Sequence, residues 1–477
     1  MKKLSIALTI TILAGLLLAA CATPTPITIV ETVEVPGPER TVVVKETVVV
    51  EPEPKTVIEF WSTDHEEERV LVYEQVAADF MAENPDIEVR IVPIDEGTIA
   101  QRIATAQAAN RLPDVVRMGV ERIAPLLASG LLDTDATTQV ISDLGEDTFY
   151  EGPLHWVTDP ATGDYAAVPY DGWVQAIWYR ADAFEDLGLD DPVTWDAIQA
   201  GCEAIAGYED FLYGMTIGTD PGWNYGHQIF EQVAMSNGAL PFDAEGNVTM
   251  NTPEMIDALE FYTGLQDCST PAPSYWLQGR ANYVTGLSGM LFYSTYVMDD
   301  IAGLRPDLEV TVDDLAAMTG FSPVIEGPSG DQATYGQLVT VGITTGADTE
   351  AAVEFVKYLL EGDAYLSILG LSPHGKLPQR TTAVEGWMTL DPETFGSYDP
   401  AVLEAIFDGF EAAQRWAFVP EYDQVQRAAI GDLEGRLFLI EAFNNIIEGL
   451  MTPETGAAWL QTQMEDLYAA RLAEVEE

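Results

Sequence analysis

Basic residues are scarce in this chain. Lysine and arginine together number 21 against 78 aspartates and glutamates, a formal net charge of −57 over 477 residues. That balance excludes nucleic acid as a main partner, because neutralising phosphates needs lysine and arginine gathered on one surface. It also disfavours phosphate or carboxylate ligands, which call for bidentate arginine or a basic pocket. Histidine is nearly absent: His65, His155, His227 and His374 are far apart, and no cysteine–histidine cluster has metal-ligand spacing. "DHEEER" has no second histidine four residues on, so it is not a zinc-protease helix. "DAEGNVT" (243–249) offers too few oxygens for an EF-hand and reads as a hairpin turn. A nucleophile elbow is missing as well. No metal and no cofactor are expected. An acidic surface of this size repels itself unless salt screens it within about 8 Å, which suits a saline habitat, with plain compositional bias as the alternative.

Long apolar runs are lacking too, with one exception. Lys2 and Lys3 precede an uncharged stretch from Leu4 to Ala20 that ends at Cys21. This is the layout of an export signal. The "LAAC" at its end resembles a bacterial lipobox, so residues 1–21 are expected to be a lipoprotein signal peptide with Cys21 as the lipidated residue. An ordinary cleaved leader or an uncleaved helix is the competing reading. Acyl chains anchor by about 0.8 kcal/mol per buried methylene, so a multiply acylated cysteine would hold the protein on the outward face of a membrane. The tract 22–55 carries prolines at 24, 26, 36, 38, 52 and 54, which break its valine runs. It is expected to be an extended tether reaching roughly 110 Å at about 3.3 Å per residue. "TVVVKETVVV" could instead pair as an edge strand. Of the remaining cysteines, Cys202 and Cys268 are equally readable as one bridge of an exported protein or as two buried thiols.

Hydrophobic residues make up 47% of the sequence, so the rest is folded. "TVIEFW" (56–61) reads as a strand. "ERVLVYEQVAADFMAENP" follows with apolar residues at helical period and a stop at Asn84-Pro85. "IEVRIVPI", "TIAQRIATAQAAN", "PDVVRMG" and "IAPLLASGLL" repeat the alternation, which implies a parallel sheet covered on both faces. Ligands of such sheets sit beyond the C-terminal strand ends, here 61–65, 95–98 and 118–121. Further on, two short strands are expected around Pro169, a helix capped by Thr194, a strand at 212–218, helices at about 223–236 and 253–266, and a strand at "GMLFY". A strand at "TYGQLVTVGI" leads to a helix capped by Asp348 or Thr349. Helices at 399–414, 421–448 and 453–475 complete the chain.

Four blocks in this order, "FWSTD", "PDVVRMG…IAPLLASGLLDTD", "YAAVPYDGWVQAIWYRADAFEDLGLDDPVTWDAI" and "GQLVTVGITTGADTEAAVEFVKYLL", resemble the extracellular solute-binding proteins of ABC importers, in the sugar-binding, maltose-binding-protein-like family. The resemblance implies an α/β, two-lobe periplasmic-binding-protein-like fold of type II, with discontinuous lobes closing about a hinge. Lobe 1 is expected over 56–168 and about 320–375, and lobe 2 over about 169–319 and 376–477. The implied function is to bind a small solute, foremost a mono- or oligosaccharide, between the lobes and deliver it to ABC permease subunits. The chain is expected to act as a monomer and not as an enzyme.

Sugars present apolar ring faces and hydroxyl edges, so aromatic platforms with carboxylates are the expected ligand residues. Trp61 and Asp64 end the first strand, and Tyr170 and Asp171 lie at the first crossing. Trp223 matches the family's second-lobe aromatic. Tyr293 and Tyr296 follow "GMLF", Tyr335 and Gly336 begin the returning strand, and Trp387 is a further candidate. Each aromatic has a competing role in the core. A polyamine or quaternary amine would suit the same aromatics and the negative field. Asp64 and Asp171 could in principle form the acid–base pair of a glycoside hydrolase.

Overall fold

The computed structural model describes residues 55–95, 98–305 and 309–476. The chain divides after Lys55, and Thr56–Glu477 forms one compact unit. The leader, Cys21 and all of the expected tether except Lys55 lie outside the described residues. Among those described, no helix is long and apolar enough to cross a membrane.

The opening alternation builds a parallel group of strands, β1 (Thr56–Ser62), β2 (Ile87–Pro93) and β3 (Val115–Gly119), with β1 in the middle. The helix Glu67–Glu83 lays Tyr73, Val76, Ala77 and Phe80 on this sheet, one stripe at helical period. Phe60 and Phe80 both meet Phe355 edge-on, at 5.6 and 5.2 Å between ring centres, closing that layer.

One strand of 13 residues, β4 (Val168–Arg180), replaces the two short ones expected around Pro169. Proline supplies no N–H to the ladder, and the register shifts between Pro169 and Asp171 instead of breaking. Its first half pairs antiparallel with β8 (Gln332–Ile343). Its second half pairs with β5 (Met290–Ser294) and β6 (Thr319–Ser322); a two-residue β7 (Ile325–Glu326) precedes β8. β4 therefore carries the chain from one lobe to the other and β8 brings it back to pair with β3. The result is the two-lobe α/β architecture, with two adjacent strands as the crossing.

Helix starts follow side-chain capping. Thr194 accepts from the Ala197 N–H and Asp348 from the Ala351 N–H, each satisfying a donor that the first turn leaves free. Two expectations change. Residues 212–218 form only isolated bridges, Tyr213 to Ser288 and Met215 to Ser269, with Gly214 between them donating to the Cys268 carbonyl and accepting from the Met290 N–H. The single helix expected over 421–448 is two, Gln424–Gly435 and Phe438–Ile447, broken where Leu437 takes φ +56°. That break matters, because Gly435 and Leu437 beside it line a cavity shared with β4, β8 and the residues after β3.

Candidate functional site

A cavity of about 880 Å³ lies where the strand crossings meet the helices of both lobes. This is within the usual range for small-molecule sites, roughly 300–1,000 Å³. β3 ends at Gly119, and the next residues bring Glu121 and Arg122 to one wall. Trp173 on β4 and Gln337 on β8 are direct cross-strand partners and share the floor. Trp223, Asn224 and Gln228, at the start of the helix Tyr225–Ser236, form the opposite wall with Glu434 and Leu437 from the helix break.

The polar lining is one chain of hydrogen bonds. Gln337 Nε2 donates to Glu121 Oε2 at 3.1 Å, and Arg415 Nη1 donates to Gln337 Oε1. Arg415 Nη2 donates to Glu434 Oε2 at 3.2 Å, and Asn224 Nδ2 donates to Glu434 Oε1 at 3.0 Å. The charges of the lining are paired within the protein. Arg471 forks onto Asp432 at 2.7 and 2.8 Å, Arg122 faces Glu121 at 3.4 Å, and Glu434 answers Arg415. Two indoles supply apolar surface. Trp223 is 48% exposed and stacks on Tyr275 at 5.4 Å and 15°, which leaves its other face open. Trp173 is half-buried and rests against Tyr335, 6.0 Å away.

Of the residues expected to bind ligand, the cavity gathers only Trp223. A second group meets elsewhere, around Arg117. Asp64 is 3% exposed and takes Arg69 at 2.6 Å, Lys376 at 2.9 Å and Arg117 at 3.2 Å, with the Tyr73 hydroxyl at 3.1 Å. Asp171 takes Arg117 at 2.9 Å and Lys376 at 3.3 Å. Burial pushes the Asp64 carboxyl upward, but Arg117, Lys376 and Arg69 outweigh it and hold it well below the usual carboxylate range. Tyr170 lies under Arg117, and Tyr296 is close enough that, after burial, the Asp171 and Asp64 charges are what push its phenol up. The two carboxylates are thus linked through shared cations and do not face each other across open space.

The other candidates stand apart. Trp61 is buried in the core, its indole N–H on Glu59. Tyr293 stacks on Trp276 at 5.4 Å, and Trp387 is fully buried with its N–H on the Pro373 carbonyl. Tyr335 is buried beneath Arg415, and Gly336 leaves room for Ala413, whose Cβ would lie 2.9 Å from an added methyl. Sequence reasoning did not single out Trp173, Gln337, Asn224, Arg415 or Glu434. Glu121 falls inside the strand-end segment 118–121. Trp173 was findable, since it follows Asp171 by two and shares its face of β4.

The model of the family "Bacterial extracellular solute-binding protein" matches residues 64–364, more than half of the chain. In Escherichia coli (strain K12), YcjN, named as an ABC transporter periplasmic-binding protein, is 30% identical over 330 residues, 69% of this chain and 74% of its own. Among solved structures, the GacH receptor of Streptomyces glaucescens, described in complex with acarbose, superposes with a TM-score of 0.67 at 19% identity. It covers 87% of this chain and 99% of its own. Maltose-bound MalE3 of T. maritima gives 0.65 at 21% identity over 86% and 100%. These two likenesses concern the fold. Together with the two lobes and the cavity between them, the family match identifies the chain as a bacterial extracellular solute-binding protein, a carrier and not an enzyme.

Proposed function

We propose that the chain captures a neutral mono- or oligosaccharide in the 880 Å³ cavity and presents it to an ABC permease. The observation that carries this reading is the pairing of the lining. With Arg471 on Asp432, Arg122 by Glu121 and Arg415 shared between Glu434 and Glu231, every charged side chain of the lining has an ionic partner inside the protein, and the cavity offers hydrogen-bonding edges and two indole faces. That is the surface a sugar ring complements: apolar face on Trp223, hydroxyls on Glu121, Gln337, Asn224 and Glu434. GacH and MalE3, described with acarbose and maltose, favour the same class. The lipid on Cys21 and the tether 22–55 would keep the receptor at the outer face of the membrane while it samples solute. The lobes are assigned as 56–168 with about 332–380, and about 169–331 with the remainder, since β6 and the segment at Glu326 pair with second-lobe residues. The second crossing is placed after Arg380, because Lys376 binds Asp64 and Arg380 donates to the Leu144 carbonyl at 2.7 Å.

A thermal-shift screen of neutral saccharides, polyols, polyamines and betaines at low and high salt tests the class. A binder at a hundredfold its dissociation constant should stabilise the fold by about 2.7 kcal/mol. A neutral sugar should keep its affinity as salt rises, whereas a cationic solute drawn by the −57 field should lose it. Salt-sensitive polyamine binding with no sugar response would overturn the proposal. Trp223→Ala should weaken sugar binding roughly tenfold or more, with little change in stability, since the ring is largely exposed before binding. Unchanged affinity would remove Trp223 from the site.

A further inference from the structure

We infer that Arg415 is the positioning residue of the cavity: it does not line the site, but it fixes three residues that do. The inference rests on the cavity being the solute site. Arg415 is 3% exposed, and its guanidinium is spent on three partners from three elements. Nε donates to Glu231 Oε1 at 3.0 Å, on the helix Tyr225–Ser236. Nη1 donates to Gln337 on β8, and Nη2 to Glu434 on the helix Gln424–Gly435. Its flat face lies 4.5 Å from the centre of the Tyr335 ring, and Tyr335 supports Trp173 from below. One planar fork therefore sets an amide, a carboxylate and an indole of the lining at once.

Guanidinium geometry is what the arrangement uses. Five donors in a fixed plane can serve carboxylates on two sides and an amide between them, and the same plane stacks on a phenol. A lysine ammonium would keep the charge beside Glu231 but would reach only part of this set. The partner of that charge is itself held: burial raises the Glu231 carboxyl, and Arg415 with His227 more than reverses it. The Trp416 N–H donates to the same Glu231 oxygen at 2.5 Å, so the segment carrying Arg415 is pinned where its side chain acts. Because Gln337 also reaches Glu121, the fork's placement is passed on to the wall that follows β3.

Arg415→Lys and Arg415→Met are the variants to make, measured against whichever solute the screen finds for the wild-type chain. Arg415→Lys should lower affinity about 10–100-fold through the displaced lining, and, having lost two charge-assisted hydrogen bonds and a stacked plane, should also unfold earlier than wild type, though later than Arg415→Met. Arg415→Met, which strands Glu231, should lose both affinity and stability. In a Gln337→Ala/Glu434→Ala background, Arg415→Lys should add a much smaller further loss than it causes in the wild type, because only the support it gives Trp173 through Tyr335 is left. A full, undiminished loss in that background would overturn the inference, as would wild-type affinity in Arg415→Lys. A crystal structure of ligand-free Arg415→Lys gives a readout that needs no solute: Gln337 and Glu434 should leave their wild-type positions, and unmoved side chains would sink the idea. If the solute proves not to be a sugar, the class proposed above fails while these comparisons still decide the role of Arg415.

Discussion

Asp64→Asn is expected to lower the unfolding free energy by about 3–5 kcal/mol, the range for breaking a buried ion pair by removing one partner. The substitution keeps the shape of the side chain and removes its charge. What remains is Arg69, with Glu66 at 3.5 Å, and the buried Arg117 and Lys376, left with Asp171 as their carboxylate. Acid should do the same work as the mutation. The folded-state pKa of Asp64 is depressed, so its contribution is fully present above the unfolded carboxylate value, about 3.9, and is lost as pH falls below it. Glu231 and Asp391 are also depressed and shift in the same direction. Chemical denaturation of wild type and Asp64→Asn at pH 7 and across pH 5 to 3 measures both effects. The gap between the two proteins should begin to narrow below about pH 4, as the unfolded chain takes up the proton first, and should close only as the pH approaches the much lower folded-state value of Asp64. A ligand-contact role for Asp64 gives the opposite pattern at pH 7: wild-type stability with lost affinity.

How much of this was legible follows from the range of each signal. The β-branched and aromatic runs of β1 to β3 and the helical stripe of Glu67–Glu83 are local, so the strand–helix alternation and the two-lobe class could be read directly. The strand-end rule reached Glu121 because it depends only on where β3 stops. Trp61 also ends a strand, yet its ring is in the core, since a strand covered on both faces gives no alternation to tell inside from outside. Asp64 looked like an exposed acceptor because nothing near it announces its partners; Lys376 lies 312 positions away. Arg415 and Glu434 sit among late helices, where no strand end marks the ligand side. The turn at Leu437 that brings the helix break to the cavity interrupts a pattern that reads as one continuous helix.

Removing the Cys202–Cys268 bridge should cost about 2–4 kcal/mol, the second large effect. The bond joins cysteines 66 residues apart, both buried, with Cα atoms 5.7 Å from each other. In the chain-entropy account a closed loop of this length restrains the unfolded state by about 4 kcal/mol at 25 °C, less whatever residual structure the reduced chain keeps. Position makes the loss instructive. The closed loop contains Trp223, Asn224, Gln228 and Glu231, so one wall of the cavity and the anchor of Arg415 both lie inside it. Neither cysteine lines the cavity, and the helix Tyr225–Ser236 is held in the folded state by its own buried face. Cys202→Ala/Cys268→Ala should therefore unfold at lower denaturant while binding its solute with wild-type affinity. Titration of free thiols in the unfolded, unreduced wild type should find neither of the two. Two free thiols together with an unchanged midpoint would refute the bridge. A variant that lost affinity as well as stability would show instead that the wall carrying Trp223 depends on the loop closure for its shape, and not only the unfolded chain on it for its entropy.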